Sequence, residues 1–308
     1  MAKPTPSTGA GQADLLAVKQ ATLTALMADD NLVDRLVLKG GSALEMIHGV
    51  STRASIDLDF SMSGTFAPEE LDPLRNRLEW LLARSLAEAG FHVMDVKLRP
   101  QPGKLSADIA DFWGGHELTF KVVTQRVADA HPDPEQRRRR AVAVGAGGRA
   151  GFSVDISSHE YVEPKTEREV DGYTVFVYSV EMIVAEKLRA LCQQMPAYAP
   201  VVKRAGRPGA PRARDFLDIH AVVTGRGVDM ATVENLRLLR ATFDAKKVPL
   251  DLLAEIGSTA DFHRTSWPSV RDTVHPDFPL EPFEVYFGFV AKLVDRLLAA
   301  GLAGDTGR

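Results

Sequence analysis

Between Arg35 and Phe60 the sequence leaves the backbone little choice. Arg35-Leu-Val-Leu-Lys39 is a short apolar run of strand character, and Gly40-Gly41 ends it abruptly. Ser42 stands where it would cap a helix over Ala43-Leu-Glu-Met-Ile-His48, which Gly49 breaks. Ser55-Ile-Asp-Leu-Asp-Phe-Ser61 then alternates polar and apolar residues with the period of a strand. Strand, glycine turn, short helix and strand follow one another without a long linker, so this part of the fold must mix α and β.

The flanking sequence extends the pattern. Ala13–Met27 and Pro68–Ala89 read as helices, the second running from a Pro-Glu-Glu start to a stop at Gly90. Residues 91–98, 116–124, 152–156 and 174–178 read as strands, 129–151 as a loop, and 180–191 as a helix. The composition changes at residues 195–213, which are rich in Pro, Gly and Ala. Beyond Arg214 only helical patterns follow, near 215–223, 230–241, 249–256 and 283–300. The expected class is therefore α+β: a mixed domain over 1–194, with 1–12 as a flexible leader, and a helical domain over 195–308.

Composition sets outer limits. With 45% hydrophobic and 25% charged residues, the chain is neither disordered nor fibrous. No apolar run approaches the roughly 18–20 residues of a membrane span, and the first residues lack a secretory core, so a cytoplasmic protein is expected. The one cysteine, Cys192, precludes an internal disulfide or a thiolate metal cluster and reads as a buried structural thiol. A net charge of −4 argues against binding nucleic acid by bulk charge.

Local charge is more telling. On a strand Asp57 and Asp59 would share a face, where each raises the other's pKa unless a cation intervenes. Mg²⁺ suits such a pair, since it takes carboxylate oxygens together with substrate phosphates. The Gly-Gly-Ser turn into a helix offers backbone N–H groups and a hydroxyl as a phosphate cradle. Two stretches concentrate positive charge. Arg137, Arg138, Arg139 and Arg140, with Arg149, form one; Lys203, Arg204, Arg207 and Arg212 form the other, which holds no carboxylate. Both are candidates for an RNA backbone.

Gly-Ser, a spacer and Asp-x-Asp on a strand resemble motif I of the DNA-polymerase-β-like nucleotidyltransferases. The fuller wording, Lys39-Gly-Gly-Ser-Ala-Leu44 with Arg53-Ala-Ser-Ile-Asp-Leu-Asp-Phe60, is similar to the AbiEii/MenT branch, the toxins of type IV-style toxin–antitoxin pairs. Phe152–Ser157 resembles that branch's strand with a third carboxylate, Asp155. Val184–Ala190 resembles its helix with a triphosphate-binding lysine, Lys187, and Arg214–Ile219 its late R-D-x-x-D motif, giving Asp215. Together these matches span about residues 36–220.

The resemblance implies a polymerase-β-like nucleotidyltransferase core with a mixed sheet and a helical C-terminal lobe. It implies metal-dependent transfer of NMP from an NTP, with Mg²⁺ (or Mn²⁺) on Asp57, Asp59 and Asp155. Asp155 would also take the acceptor's proton, while Lys187, Gly41 and Ser42 would hold phosphates. Arg53 would contact a phosphate or, the favoured alternative, brace the two motif carboxylates. Asp215 would cap its helix or act through substrate or Lys187, and Asp218 would pair with Arg214. Glu45 and His48 belong to the motif helix. Lys187 itself has a bland alternative, a solvated helix face. An RNA acceptor such as the tRNA 3′ end, inhibition of translation and growth, and a cognate antitoxin follow from the same resemblance. Transfer to a protein or to a small molecule such as an antibiotic is the competing chemistry, and an inactive antitoxin-binding module the competing class.

Overall fold

The computed structural model describes residues 10–302 except 51, 146, 147, 205, 207 and 276, with side chains from residue 13. Arg207 and residues 1–9 of the expected leader lie outside the described residues, while 10–12 already belong to the first helix. The elements run α1 (Ala10–Met27), α2 (Asp30–Val33), β1 (Val37–Lys39), α3 (Gly40–Met46), β2 (Leu58–Ser61), α4 (Pro68–Glu88), β3 (Phe91–Gln101) and β4 (Gly115–Thr124). They continue with α5 (Gln125–Ala130), α6 (Pro134–Arg138), β5 (Gly151–Ser157), β6 (Thr166–Val170), β7 (Tyr173–Val177) and α7 (Val180–Cys192). The C-terminal part is α8 (Ala213–Arg226), α9 (Val233–Asp244), a 3₁₀ helix (Leu250–Ser258), α10 (Ala260–Arg264), α11 (Trp267–Arg271) and α12 (Phe283–Ala299).

Seven strands form one sheet in the order β3-β4-β5-β2-β1-β7-β6. The β1/β7 and β2/β5 pairs are parallel and the others antiparallel, which confirms a mixed sheet. Alternation sets its two faces. In β5, Phe152, Val154 and Ile156 are buried, while Ser153, Asp155 and Ser157 point to the opposite side and are half-buried. On α4, Leu74, Leu78, Leu82 and Leu86 recur every fourth residue and are buried against α1 and β3. Helix α7 is buried almost all round, including Cys192, and helices α8, α9 and the 3₁₀ helix pack against it. One contiguous apolar cluster runs through both parts of the chain.

Four local expectations need correction. Helix α3 starts at Gly40 rather than after Ser42, and its N-cap residue Lys39 makes no side-chain cap. Strand β2 starts at Leu58, so Asp57 lies in the bend that precedes it. The stretch 129–151 contains α6, and the tail of α5, where a loop was expected. The helix expected over 249–256 is a 3₁₀ helix over Leu250–Ser258, and β6, α10 and α11 carry no periodicity long enough to read. No helix is long and apolar enough to cross a membrane among the described residues.

Candidate active site

A cavity of about 560 Å³ opens where the end of β1, the start of α3, the bend before β2, α7 and the start of α8 meet. Gly41, Asp57, Asp59, Lys187, Arg212 and Asp215 line it, so motifs far apart in sequence converge here. Strand register explains part of this. Lys39 pairs with Asp59, Asp59 with Asp155, and Asp155 with Glu117, placing four charged residues side by side across the sheet. Gly40 sits at φ +69°, and a Cβ there would lie 2.7 Å from Asp59 Oδ2, so only glycine lets the turn pass this carboxylate.

The carboxylates are electrostatically crowded. Burial raises the pKa of Asp59, and Glu186 and Asp57 add to this, against the pull of Lys39. Burial also raises Asp155, to about 6, reinforced by Asp59, Glu117 and Asp57. Asp57 Oδ1 accepts a hydrogen bond from Ser153 Oγ at 3.2 Å. Among the described residues no three His, Cys, Asp or Glu groups converge tightly enough to hold a metal ion by themselves. The donor set still suits Mg²⁺, which needs only one or two carboxylates when phosphates supply further oxygens.

Ser42 does not face the cavity. It is fully buried, and its hydroxyl donates to the Asp57 carbonyl at 2.6 Å. The expected phosphate contact is replaced by a clamp that ties α3 to the bend carrying Asp57. Gly41 lies at the cavity wall, and a Cβ on it would crowd Ser55 and Arg53.

Lys187 is buried, which overturns the solvated-face alternative. Its Nζ donates to Asp215 Oδ1 at 2.9 Å and to Asp218 Oδ2 at 2.7 Å. Burial disfavours the Lys187 charge, but Asp215 and Asp218 outweigh it and hold its pKa above the ordinary value. Arg53 donates twice to Asp218, at 3.0 and 2.7 Å, and Arg212 pairs with Asp215. Arg53 thus braces a carboxylate of α8, not Asp57 or Asp59, and Asp218 pairs with Arg53 and Lys187 rather than Arg214. Asp215 pairs with Lys187 and is not the helix cap, a position held by Arg212. Against the cost of burial, these cations keep Asp215 and Asp218 below the usual carboxylate range.

The two basic stretches separate. Arg137 is held by the His131 and Ala128 carbonyls and lies beside His92, and Arg138 pairs with Asp95 and Glu135. Both line another depression, near β3, while the Arg140 guanidinium reaches the Gln136 carbonyl and Arg139 is exposed. In the second stretch Arg212 lines the main cavity, Arg204 lines a neighbouring one, and Lys203 pairs with Asp108. Lys39 and Glu186, missed as candidates, stand at the cavity wall. Their one legible signal was adjacency: Lys39 precedes the glycine pair and Glu186 precedes Lys187.

No curated protein matches the chain. A solved structure from H. pylori, named as a putative nucleotidyltransferase, aligns with 93% of this chain and 96% of its own length, at 15% identity and a TM-score of 0.47. JHP933 from Helicobacter pylori aligns with 95% of this chain and 96% of its own, at 17% identity and a TM-score of 0.46. The family model described as nucleotidyl transferase AbiEii toxin, type IV toxin–antitoxin system, matches residues 21–288. That match takes in all four motifs and the whole cavity wall, and the chain belongs to the AbiEii family of nucleotidyl transferase toxins.

Proposed function

We propose that this chain transfers a nucleoside monophosphate from an NTP to the 3′ hydroxyl of an RNA, with tRNA the expected acceptor. Translation and growth then fail, and a cognate antitoxin restrains the enzyme. The observation that carries this reading is the convergence of Gly41, Asp57, Asp59 and the Lys187–Asp215 pair on one cavity. The acceptor oxygen would bond to the α-phosphorus as the bond to the β-phosphate oxygen breaks and pyrophosphate leaves.

Each residue has a distinct part. Asp155, with its pKa raised to about 6, is ionised at pH 7 yet basic enough to take the hydroxyl proton. Asp57 and Asp59, with Asp155 beside them, would hold Mg²⁺ or Mn²⁺ brought in with the nucleotide. Such an ion neutralises phosphate charge and lowers the pKa of the attacking hydroxyl. Lys187 and Arg212, already oriented by Asp215, would face the leaving pyrophosphate, where a fixed positive charge stabilises the transition state.

The test is incubation with total RNA and each α-³²P NTP in turn, followed by sequencing of labelled 3′ ends. Label is expected on RNA with one preferred NTP, lost with EDTA and lost by at least a hundredfold in Asp57→Ala. Label on protein or a small molecule, with none on RNA, would overturn the acceptor assignment. Full activity of Asp57→Ala would overturn the site.

A further inference from the structure

A second cavity of about 240 Å³ adjoins the first, sharing Lys39, Ser157, Glu186 and Arg212 with it. Its wall adds Arg189, Arg204 and Lys246, and with Glu160 and Glu186 carries five cations against two carboxylates. Pairing takes up most of these charges: Arg212 pairs with Asp215, Glu186 lies 3.5 Å from Arg189 and 3.8 Å from Lys39, and Arg204 is left without a carboxylate partner among the described residues. Glu160 alone accepts from Arg189 at 2.6 Å and lies 3.5 Å from Lys246 and 3.8 Å from Lys39. Arg189 is 3% exposed, and its Nε has no hydrogen-bond partner. A buried guanidinium with a spare donor, next to the unpaired Arg204 in one cavity wall, suits an anion.

Trp113 gives the cavity a second chemistry. It is half-buried in the wall, with Arg204 5.8 Å and Lys246 5.7 Å from its ring centre. A flat aromatic flanked by cations suits a nucleotide in single-stranded nucleic acid, base on the ring and phosphate on the cations. The position decides which nucleotide. Ser157, shared by both cavities, lies two residues beyond Asp155 on the same face of β5. Asp155 itself lines neither cavity, and an acceptor whose hydroxyl reaches it would have a path past Ser157 into this one.

Resting on the RNA reading above, we propose that this second cavity binds the 3′-terminal segment of the acceptor RNA, with Trp113 stacking a base and Arg204, Lys246 and Arg189 holding its phosphate. The cavity then sets the acceptor's register against the α-phosphate. Burial lowers the Lys246 pKa to about 8, with Arg189 and Lys39 adding to this against Glu160.

The test uses the full chain, a 5′-fluorescein RNA hexanucleotide with a free 3′ hydroxyl, and NTP with Mg²⁺. RNA binding is read by anisotropy and NTP binding by calorimetry. Arg204→Glu, at an exposed position, and Trp113→Ala are each expected to weaken RNA binding about tenfold, the scale of one lost stacked base. NTP affinity should stay within about twofold. Unchanged RNA affinity in both variants, or no RNA binding by the parent chain, would overturn the subsite. A parallel loss of NTP affinity would reassign the cavity to the nucleotide. Arg204-dependent RNA binding together with label only on protein would preserve the subsite and remove the proposed reaction.

Discussion

The phosphate contact proposed for Lys187 and its buried ion pairs pull against each other. A lysine that neutralises phosphate must be near the nucleotide, yet this one is buried with Asp215 and Asp218 as its partners. Lys187→Ala strips both carboxylates of a cation, leaving Arg212 and Arg53 to hold them. Breaking a buried pair in this way costs on the order of 3 kcal/mol. The melting temperature followed by circular dichroism should fall by several degrees. Loss of activity in that variant mixes destabilisation with chemistry, which makes Asp57→Ala the cleaner probe of the site. A variant that melts with the parent would contradict the buried pairing. Asp155 gives the opposite sign. Its folded pKa of about 6 stands above the unfolded carboxylate value of about 3.9, so the folded state holds the proton more tightly. Stability therefore falls as pH rises from about 4 through 6, and the penalty is fully present at pH 7. Asp155→Asn should abolish transfer while stabilising the ligand-free protein by on the order of 2 kcal/mol at pH 7, allowing for partial exposure. The gain should vanish by about pH 4. A melting temperature for Asp155→Asn below the parent's at pH 7 would refute the crowding argument.

At the scale of elements, the β1–α3–β2 unit shows what a sequence makes legible. Lys39-Gly-Gly-Ser named a turn, a helix start and a site because glycine at positive φ has few other uses. It misplaced the helix start by three residues, since Ser42 looks like a cap and instead clamps the Asp57 carbonyl. Gly40→Ala should expose the constraint. It costs about 1–2 kcal/mol for the left-handed backbone and drives a methyl to within 2.7 Å of Asp59 Oδ2. Transfer should drop at least tenfold with only a modest loss of melting temperature; wild-type kcat in Gly40→Ala would show that Asp59 has room to move. Strand β6 went unread because Thr166–Val170 is an outer strand with an exposed middle and no apolar alternation. The ion cluster went unread for another reason: Arg53 and Asp218 are joined only by the fold, and no local spacing announces a partner 165 residues away. Periodicity reveals elements, and glycine reveals turns; pairings across the chain appear only in three dimensions.

At the scale of the molecule, a composition change near residue 195 reads as a boundary, but several buried ion pairs cross it. Arg53 and Lys187 find their carboxylates on α8, and Glu160 is joined by Lys246 from beyond α9. The apolar contacts cross it too, since α7 buries Leu188, Leu191 and Cys192 in a layer that α8 and α9 close. A net charge of −4 hides this arrangement, because paired clusters leave little trace in a sum. A fragment of residues 1–194 would therefore bare one side of α7 and strand Lys187 and Arg53 without their partners. It is expected to lack a cooperative thermal transition and native near-ultraviolet circular dichroism, while the full chain melts in a single step. Sharp, reversible melting of the fragment would show that the mixed sheet folds alone and that the helical part merely covers it. Failure of the fragment to fold would mean that the site's cations are held in place by the whole chain, so the catalytic cavity exists only once both parts have closed on each other.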